Sequence, residues 1–321
     1  MGTRSHTTRE GQIRRLGEEL DELDPRILTA ADNPDALLEE LAYAMRPPVH
    51  ERRVPSYGVF VEPSIDIIDW TEAIGFGVSR RKVQDLPDRA VRLFANGIVS
   101  WVVRSPNGVN DLVVFDRGVG SERDLSVLSS TTDATMIQRH PVGIVRAVGP
   151  FGVLRHEGID WQLEPPVGRW LDMGSCLHGG LKPDVLNQLL LLAVHDVAAR
   201  RVGATFVIAP GGRLEPSAEV RYRTPPEFSV QRPADLAPLV HILGQLDGAA
   251  VFDETGTLRR LGVRLVPSAK AEAAVEPYRG TRHTSALRYS FDDPDATIIV
   301  ISEDGPVSVL QGGHRLGRSA D

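Results

Sequence analysis

Two textures of apolar and polar positions divide the chain. Up to about residue 46, Leu and Ala recur at three-and-four spacing in a charged background, as in EELDELDPRILTAADNPDALLEELAYAM. That period predicts helix, interrupted near Pro25 and Pro34. RPPVHERRVP, with its three prolines, breaks the pattern. From about Tyr57 to Trp170 the period shortens. YGVFVEP, GIVSWVVRSP and DLVVFDRG cluster or alternate β-branched and aromatic residues between Gly, Pro, Asn and Asp. These read as strands, with SWVVRSPNGVNDLVVF a hairpin around Pro106, Asn107 and Gly108. All four tryptophans, Trp70, Trp101, Trp161 and Trp170, fall in this half, which carries no catalytic signature.

LEPPVGRWLDMGSCLHGGLKP, rich in Pro and Gly, reads as a connector. In the next segment, DVLNQLLLLAVHDVAARRVGA, Leu186, Leu190, Val194 and Val197 form one apolar stripe. Asp184 is suited to cap that helix and Gly203 to end it. Thereafter strand and helix patterns alternate: ATFVIAP, PADLAPLVHILGQL, AAVFD, LRRLGVRLV, the SALRYSF region, ATIIVIS, and PVSVLQGG as a last strand. The expected architecture is α/β in the C-terminal part, a mixed sheet covered by helices, preceded by an α+β domain. The corresponding divisions are a helical segment 1–46, an α+β domain 47–170, a connector and lead-in helix 171–202, and an α/β domain 203–321.

Composition narrows the class. The chain has 321 residues, enough for roughly two ordinary domains. Its 36 Lys and Arg against 43 Asp and Glu give a formal charge of −7, which argues against bulk coating of nucleic acid. Cys176 is the single cysteine, so no internal disulfide and no Cys-based zinc cluster can form. The N-terminal stretch has no apolar signal core, and LLLLAV falls far short of the ~20 apolar residues that cross a bilayer. The expectation is a cytoplasmic protein with no membrane segment. Basic pairs in the N-terminal half, Arg52 with Arg53 and Arg80, Arg81 with Lys82, read as solvated faces.

Three loops of the C-terminal half carry chemistry-bearing residues. In LDGAAVF, Asp247 stands between a helix and a buried strand, with Gly248 and Ala249 leaving room for a ligand. A plain Asp-Gly turn has the same sequence. In YRGTRHTSALRYSF, Gly280 frees the backbone, Thr281 is a helix cap, and Arg282 and His283 follow. The stretch reads either as a solvated cap or as a phosphate-holding helix start. In VISEDGPVSVL, Ser302 and Glu303 end an apolar strand, as a ligand-facing carboxylate or as an ordinary turn. Carboxylates for metal or base work, together with Arg and helix amides for phosphates, suit nucleotidyl transfer.

In this order, the DGA of Asp247–Ala249, the GTRHT of Gly280–Thr284 and the ISEDG of Ile301–Gly305 resemble the diadenylate cyclase domain of the DNA-integrity scanning protein DisA. GATFVIAPGG looks like that family's first core strand, and the resemblance runs over about Lys182 to Gly313. It implies a face-to-face dimer, each domain holding one ATP and a divalent metal, Mg²⁺ or Mn²⁺, that joins two ATP into cyclic di-AMP with loss of two pyrophosphates. Carried over, Asp247 activates the 3′-hydroxyl or helps bind metal, and Gly248 and Ala249 pack on the nucleotide. Gly280, Thr281, Arg282 and His283 belong to the phosphate loop, with Arg282 also stabilising the reacting phosphate. Ser302 and Glu303 line the same pocket, Glu303 near phosphate or metal.

Two positions depart from the family pattern. Thr284 stands where the motif has Arg, so a cationic contact is missing or Arg288, one helical turn on, replaces it. Leu246 precedes DGA where some branches carry a metal-binding His. Three readings follow: a cyclase regulated by an N-terminal sensor domain, a degenerate cyclase that binds ATP or cyclic di-AMP without turnover, and an N-terminal domain that carries the main activity itself.

Overall fold

A computed structural model of the chain describes residues 9–319 apart from 50, 51, 53, 65–70, 72–76, 84, 85, 106–109, 216, 217, 279 and 305. The expected Pro106–Gly108 turn, Arg53 and Trp70 therefore lie outside the described residues. The chain divides into two compact units between residues 166 and 167.

The first unit opens with helices α1 (Arg9–Leu23), α2 (Arg26–Thr29) and α3 (Pro34–Met45), broken at the two prolines that the pattern marked. Asn33 caps α3 by accepting from the Ala36 amide. Its strands are β1 (Tyr57–Val61), β2 (Val78–Lys82), β3 (Ser100–Arg104), β4 (Asn110–Phe115), β5 (Thr135–Arg139), β6 (Val145–Gly149), β7 (Gly152–His156) and β8 (Trp161–Glu164). Helices α4 (Asp88–Leu93) and α5 (Glu122–Thr132) lie between them. The sheet order is β2-β4-β3-β1-β5-β6-β7-β8, antiparallel except for β1 with β3.

The two-residue period of a strand decides which face each side chain joins. Val59, Val102, Ile137 and Ala147 pack with Leu20, Leu37 and Leu41 of α1 and α3. Their neighbours Phe60, Trp101, Val103 and Met136 pack on the other side with Leu125 and Leu128 of α5. Each fully buried Val, Leu, Ile, Phe or Met among them contributes roughly 1.5–3 kcal/mol. Arg80, Arg81 and Lys82 of β2 are exposed, as their pattern implied, although Arg80 reaches Asp111 at 2.6 Å.

The second unit has strands β9 (Ala204–Ile208), β10 (Glu219–Tyr222), β11 (Ala249–Phe252), β12 (Leu258–Arg264), β13 (Thr297–Ile301), β14 (Val307–Gln311) and β15 (His314–Arg318). Helices α6 (Pro183–Leu191), α7 (Pro233–Leu243), α8 (Ala269–Ala274) and α9 (Thr281–Asp292) cover them. The order is β10-β12-β11-β9-β13-β14-β15, with β9 and β11 the one parallel pair. Phe206, Ile208, Ala250, Phe252, Ile299 and Ile301 face α6 and α7. Val207, Val251, Ile298 and Val300 face Ala286, Leu287 and Tyr289 of α9. The unit is thus a mixed sheet between helical layers.

Four local readings need correction. Asp184 lies in the first turn of α6 rather than at its cap, which is Lys182, because Pro183 supplies the preset φ of a first helical residue. The helix does not run to Gly203. It widens into a π turn at Leu192–Val197 and ends at Arg201, itself left-handed with φ 57°. PVSVLQGG is not the last strand: Gly312 and Gly313, both at positive φ, turn the chain into β15. EVRY forms β10, a strand that its exposed, alternating charges concealed.

Candidate active site

The parallel pair and its antiparallel neighbour gather the three loops. Thr205 pairs with Ala249, and Ala204 pairs with Ile301. Following that register one step beyond the strands brings Gly203 beside the loop of Asp247 and beside Ser302. Neighbouring strands lie about 4.8 Å apart, so residues remote in sequence converge at this end of the sheet. It is the amino end of β9 and β11 and the carboxyl end of β13.

Gly248 is required twice. Its φ is +102°, and an added Cβ would sit 2.8 Å from the Gly262 carbonyl carbon. Gly262, at φ 66°, falls where β11 and β12 slip register, and there the side chain of Arg221 on β10 comes alongside.

Gly280 (φ 49°, ψ 168°) is the cap residue of α9, and Thr281 is its first helical residue, not the cap. No side chain caps this helix start. First-turn amides have no intrahelical partner, and the helix dipole favours an anion there. Thr284 closes the loop: its hydroxyl lies 3.0 Å from the carbonyls of Tyr278 and Gly280 and accepts from the Tyr278 amide at 3.1 Å.

A cleft of about 980 Å³ opens between these elements. Asp247, Gly248, Ala249, Gly280, Thr281 and Arg282 all line it. So do Arg221, Arg264 and Arg288, giving, among the described residues, four arginines against the two acidic residues Asp247 and Glu272. Arg288 is steadied by donating from Nε to the Val275 carbonyl at 3.1 Å. A surplus of planar, permanently charged donors beside uncapped helix amides suits a phosphorylated ligand.

An adjoining polar depression of about 310 Å³ shares Gly203, Leu246, Asp247 and Arg282 with the cleft and adds Arg201, Gln245 and Glu303. Arg282 Nη2 stands 3.9 Å from Glu303 Oε1, with the two side chains 40% and 72% exposed. A pair this open to solvent is weak, so Arg282 is available to an anion in the cleft.

The remaining two sequence candidates line neither hollow. His283 is buried and meets Tyr278 edge-on at 5.9 Å. The Ser302 amide donates to the Pro306 carbonyl at 3.1 Å, tying the turn after β13. The sequence reading did not assign Gly203, Arg221, Gly262 or Arg264 to the site. Arg221 and Arg264 reach it only through the β10–β12 pairing, and Arg288 had entered only as a replacement for the missing motif Arg. No group of three or more His, Cys, Asp or Glu suited to hold a metal occurs among the described residues.

Residues 191–315 match the family model described as DisA bacterial checkpoint controller nucleotide-binding, DAC. The C-terminal unit carries a DAC domain. Residues 14–164 match a second family model, Probable sensor domain DACNK, so the DAC domain is joined to a sensor-type domain. No curated protein matches the chain. Among solved structures, a hypothetical membrane spanning protein from Bacillus cereus is 22% identical over 48% of this chain and 67% of that one, with a TM-score of 0.32. Among the described residues of this chain, no helix is long and apolar enough to cross a membrane.

Proposed function

We propose that the protein is a diadenylate cyclase, joining two ATP into cyclic di-AMP and two pyrophosphates across a face-to-face pair of DAC domains, under control of its N-terminal domain. One observation carries this reading: Asp247, the uncapped start of α9 with Arg282, and the arginine surplus meet in one cleft. The DAC match over the same residues supports it.

In each half-reaction the 3′-hydroxyl oxygen of one ATP attacks the α-phosphorus of the other. A P–O bond forms, the bond to pyrophosphate breaks, and the hydroxyl proton is released. Asp247 sits at the cleft's edge, where its carboxylate orients that hydroxyl and accepts its hydrogen bond. A carboxylate is a weak base for a sugar hydroxyl, so positioning is the larger part of its role. Arg282 and the α9 amides meet the charge that builds on the reacting phosphate, and this stabilises the transition state more than the ground state.

The chain's own donors are compatible with Mg²⁺ or Mn²⁺. Asp247 and Glu303 line one polar depression, and Mg²⁺ commonly takes one or two protein carboxylates and completes its shell with phosphate and water. These two residues would hold the ion, which when bound neutralises phosphate charge and acidifies the attacking hydroxyl.

The test is incubation of the full chain with ATP and Mg²⁺ or Mn²⁺, followed by chromatography. Cyclic di-AMP with two pyrophosphates each, lost in Asp247→Ala, is the expected result. A folded, dimeric protein that yields none sinks the cyclase reading. Tight ATP binding without product would mark a binding module, a reading that Thr284 favours because its hydroxyl is committed to the loop where the family motif places a cation.

A further inference from the structure

Gly203 precedes β9 and lines both the cleft and the adjoining depression. Its backbone does not demand glycine: φ lies outside the left-handed region, and the turn at the end of the preceding helix is made by Arg201. The space around it does. A Cβ at Gly203 would stand 2.9 Å from Glu303 Cγ, 3.0 Å from Arg282 Cζ and closer still to Arg282 Nη1. The guanidinium of Arg282 therefore rests directly on the backbone at the start of β9, with Glu303 beside it. Most other glycines of the unit have backbone neighbours or a left-handed φ, as Gly248 does; Gly168 meets nothing, and Gly174 meets only the side chain of Asp172, outside the site. At Gly203 the obstructed atoms belong to two flexible, exposed side chains of the site.

We propose that Gly203 is a positioning residue: its missing side chain forms the seat that holds the Arg282 guanidinium, with Glu303, at the junction of cleft and depression. The residue touches no reacting atom and acts through Arg282. A methyl group there costs the fold little, since the side chains swing away, but it removes Arg282 from the place where phosphate is met. The seat is a direct reading of geometry; its consequence for nucleotide rests on the cyclase proposal above.

Gly203→Ala in the full chain tests both parts. The first readout needs no nucleotide: the Arg282 Nε–Hε NMR signal, assigned by its loss in Arg282→Ala. In Gly203→Ala it moves, while the thermal midpoint stays within a few degrees of wild type. An unmoved signal overturns the seat, whatever the protein binds. The second readout is ATP and AMP affinity by calorimetry with Mg²⁺. Gly203→Ala weakens both ATP and AMP on the order of tenfold, the scale of one charged hydrogen bond, because AMP keeps the α-phosphate that Arg282 meets. Adding Gly203→Ala to Arg282→Ala weakens ATP no further, because one acts through the other. Full additivity of the two substitutions overturns the positioning role. A wild-type protein that binds no ATP sinks the nucleotide reading alone, and the NMR signal still decides the seat.

Discussion

The Thr284 hydroxyl and the Gly280 carbonyl lie 3.0 Å apart, closing the loop that carries Thr281 and Arg282 onto the first turn of α9. The same hydroxyl accepts from the Tyr278 amide, so one side chain ties both ends of the loop. Thr284→Val keeps the shape and removes both bonds. It is expected to lower stability by about 1 kcal/mol for the lost pairing, and to weaken ATP binding by releasing the Tyr278 end of the loop, since Gly280 keeps its bond from the residue-284 amide. Urea unfolding and calorimetry check this; unchanged values in both would show that the hydroxyl does not hold the loop.

Arg288 follows Thr284 by one helical turn and lines the same cleft. It gives α9 a second guanidinium at that cleft, and under the proposed function it is the candidate to replace the cation that Thr284 lacks. Arg288→Gln is expected to weaken ATP on the order of tenfold, a charged hydrogen bond's worth, and AMP much less. Equal loss for the two nucleotides would assign Arg288 to the parts they share, the base, sugar or α-phosphate, instead of the β- and γ-phosphates.

In the N-terminal unit Glu40 is buried and accepts from the Tyr57 hydroxyl at 2.6 Å, Arg92 at 2.8 Å and Arg104 at 3.0 Å. Burial, then the neighbouring Glu40 charge, pushes the Tyr57 hydroxyl well above its usual pKa, so it stays a donor. Glu40→Gln leaves two largely buried guanidinium groups short of countercharge. The expected cost is about 3–5 kcal/mol in the urea unfolding of that unit. A loss under about 1 kcal/mol would mean that Asp88, which also pairs with both arginines, suffices.

Asp253 ends β11. Burial works against its charge, but the Thr255 hydroxyl, the Thr257 and Thr255 amides and Arg259 outweigh burial and hold its pKa below the ordinary 3.8. The unfolded chain then binds a proton more readily than the folded one. The stabilisation is complete above the unfolded value and is lost as pH falls from about 3.8 through the folded value. Stability should therefore drop less steeply below pH 4 in Asp253→Asn than in wild type, as chemical unfolding at a series of pH values measures. Parallel curves would refute the assignment.

Much of this architecture was written in local pattern. The prolines at 25 and 34 break the N-terminal helices because each lacks an amide and clashes with a continuing turn. VSVLQ and TIIVI are strands because buried β-branched runs of that length pack well on a pleated sheet. EVRY was illegible, since an edge strand with exposed charges borrows its conformation from the β12 beside it. The π turn at Leu192–Val197 likewise leaves no mark in a periodic apolar stripe.

The site divides in the same way. Asp247, Gly248, Gly280 and Arg282 were visible in the sequence because each loop carries its own signal: a residue of unusual φ next to a charged one. Their convergence was not visible, because strand register is set by pairing between distant segments. Register alone brought Gly203 under Arg282, and the β10–β12 pairing alone brought Arg221 and Arg264 to the cleft. With β10 and the π turn excepted, the sequence by itself determined the chemical inventory and most elements, because these depend on neighbours along the chain. The tertiary structure decided which members face one cleft, turning His283 into the core and leaving Arg288 on the cleft wall. The orientation of a helix against its sheet is fixed by packing across the whole face, and no single motif records that.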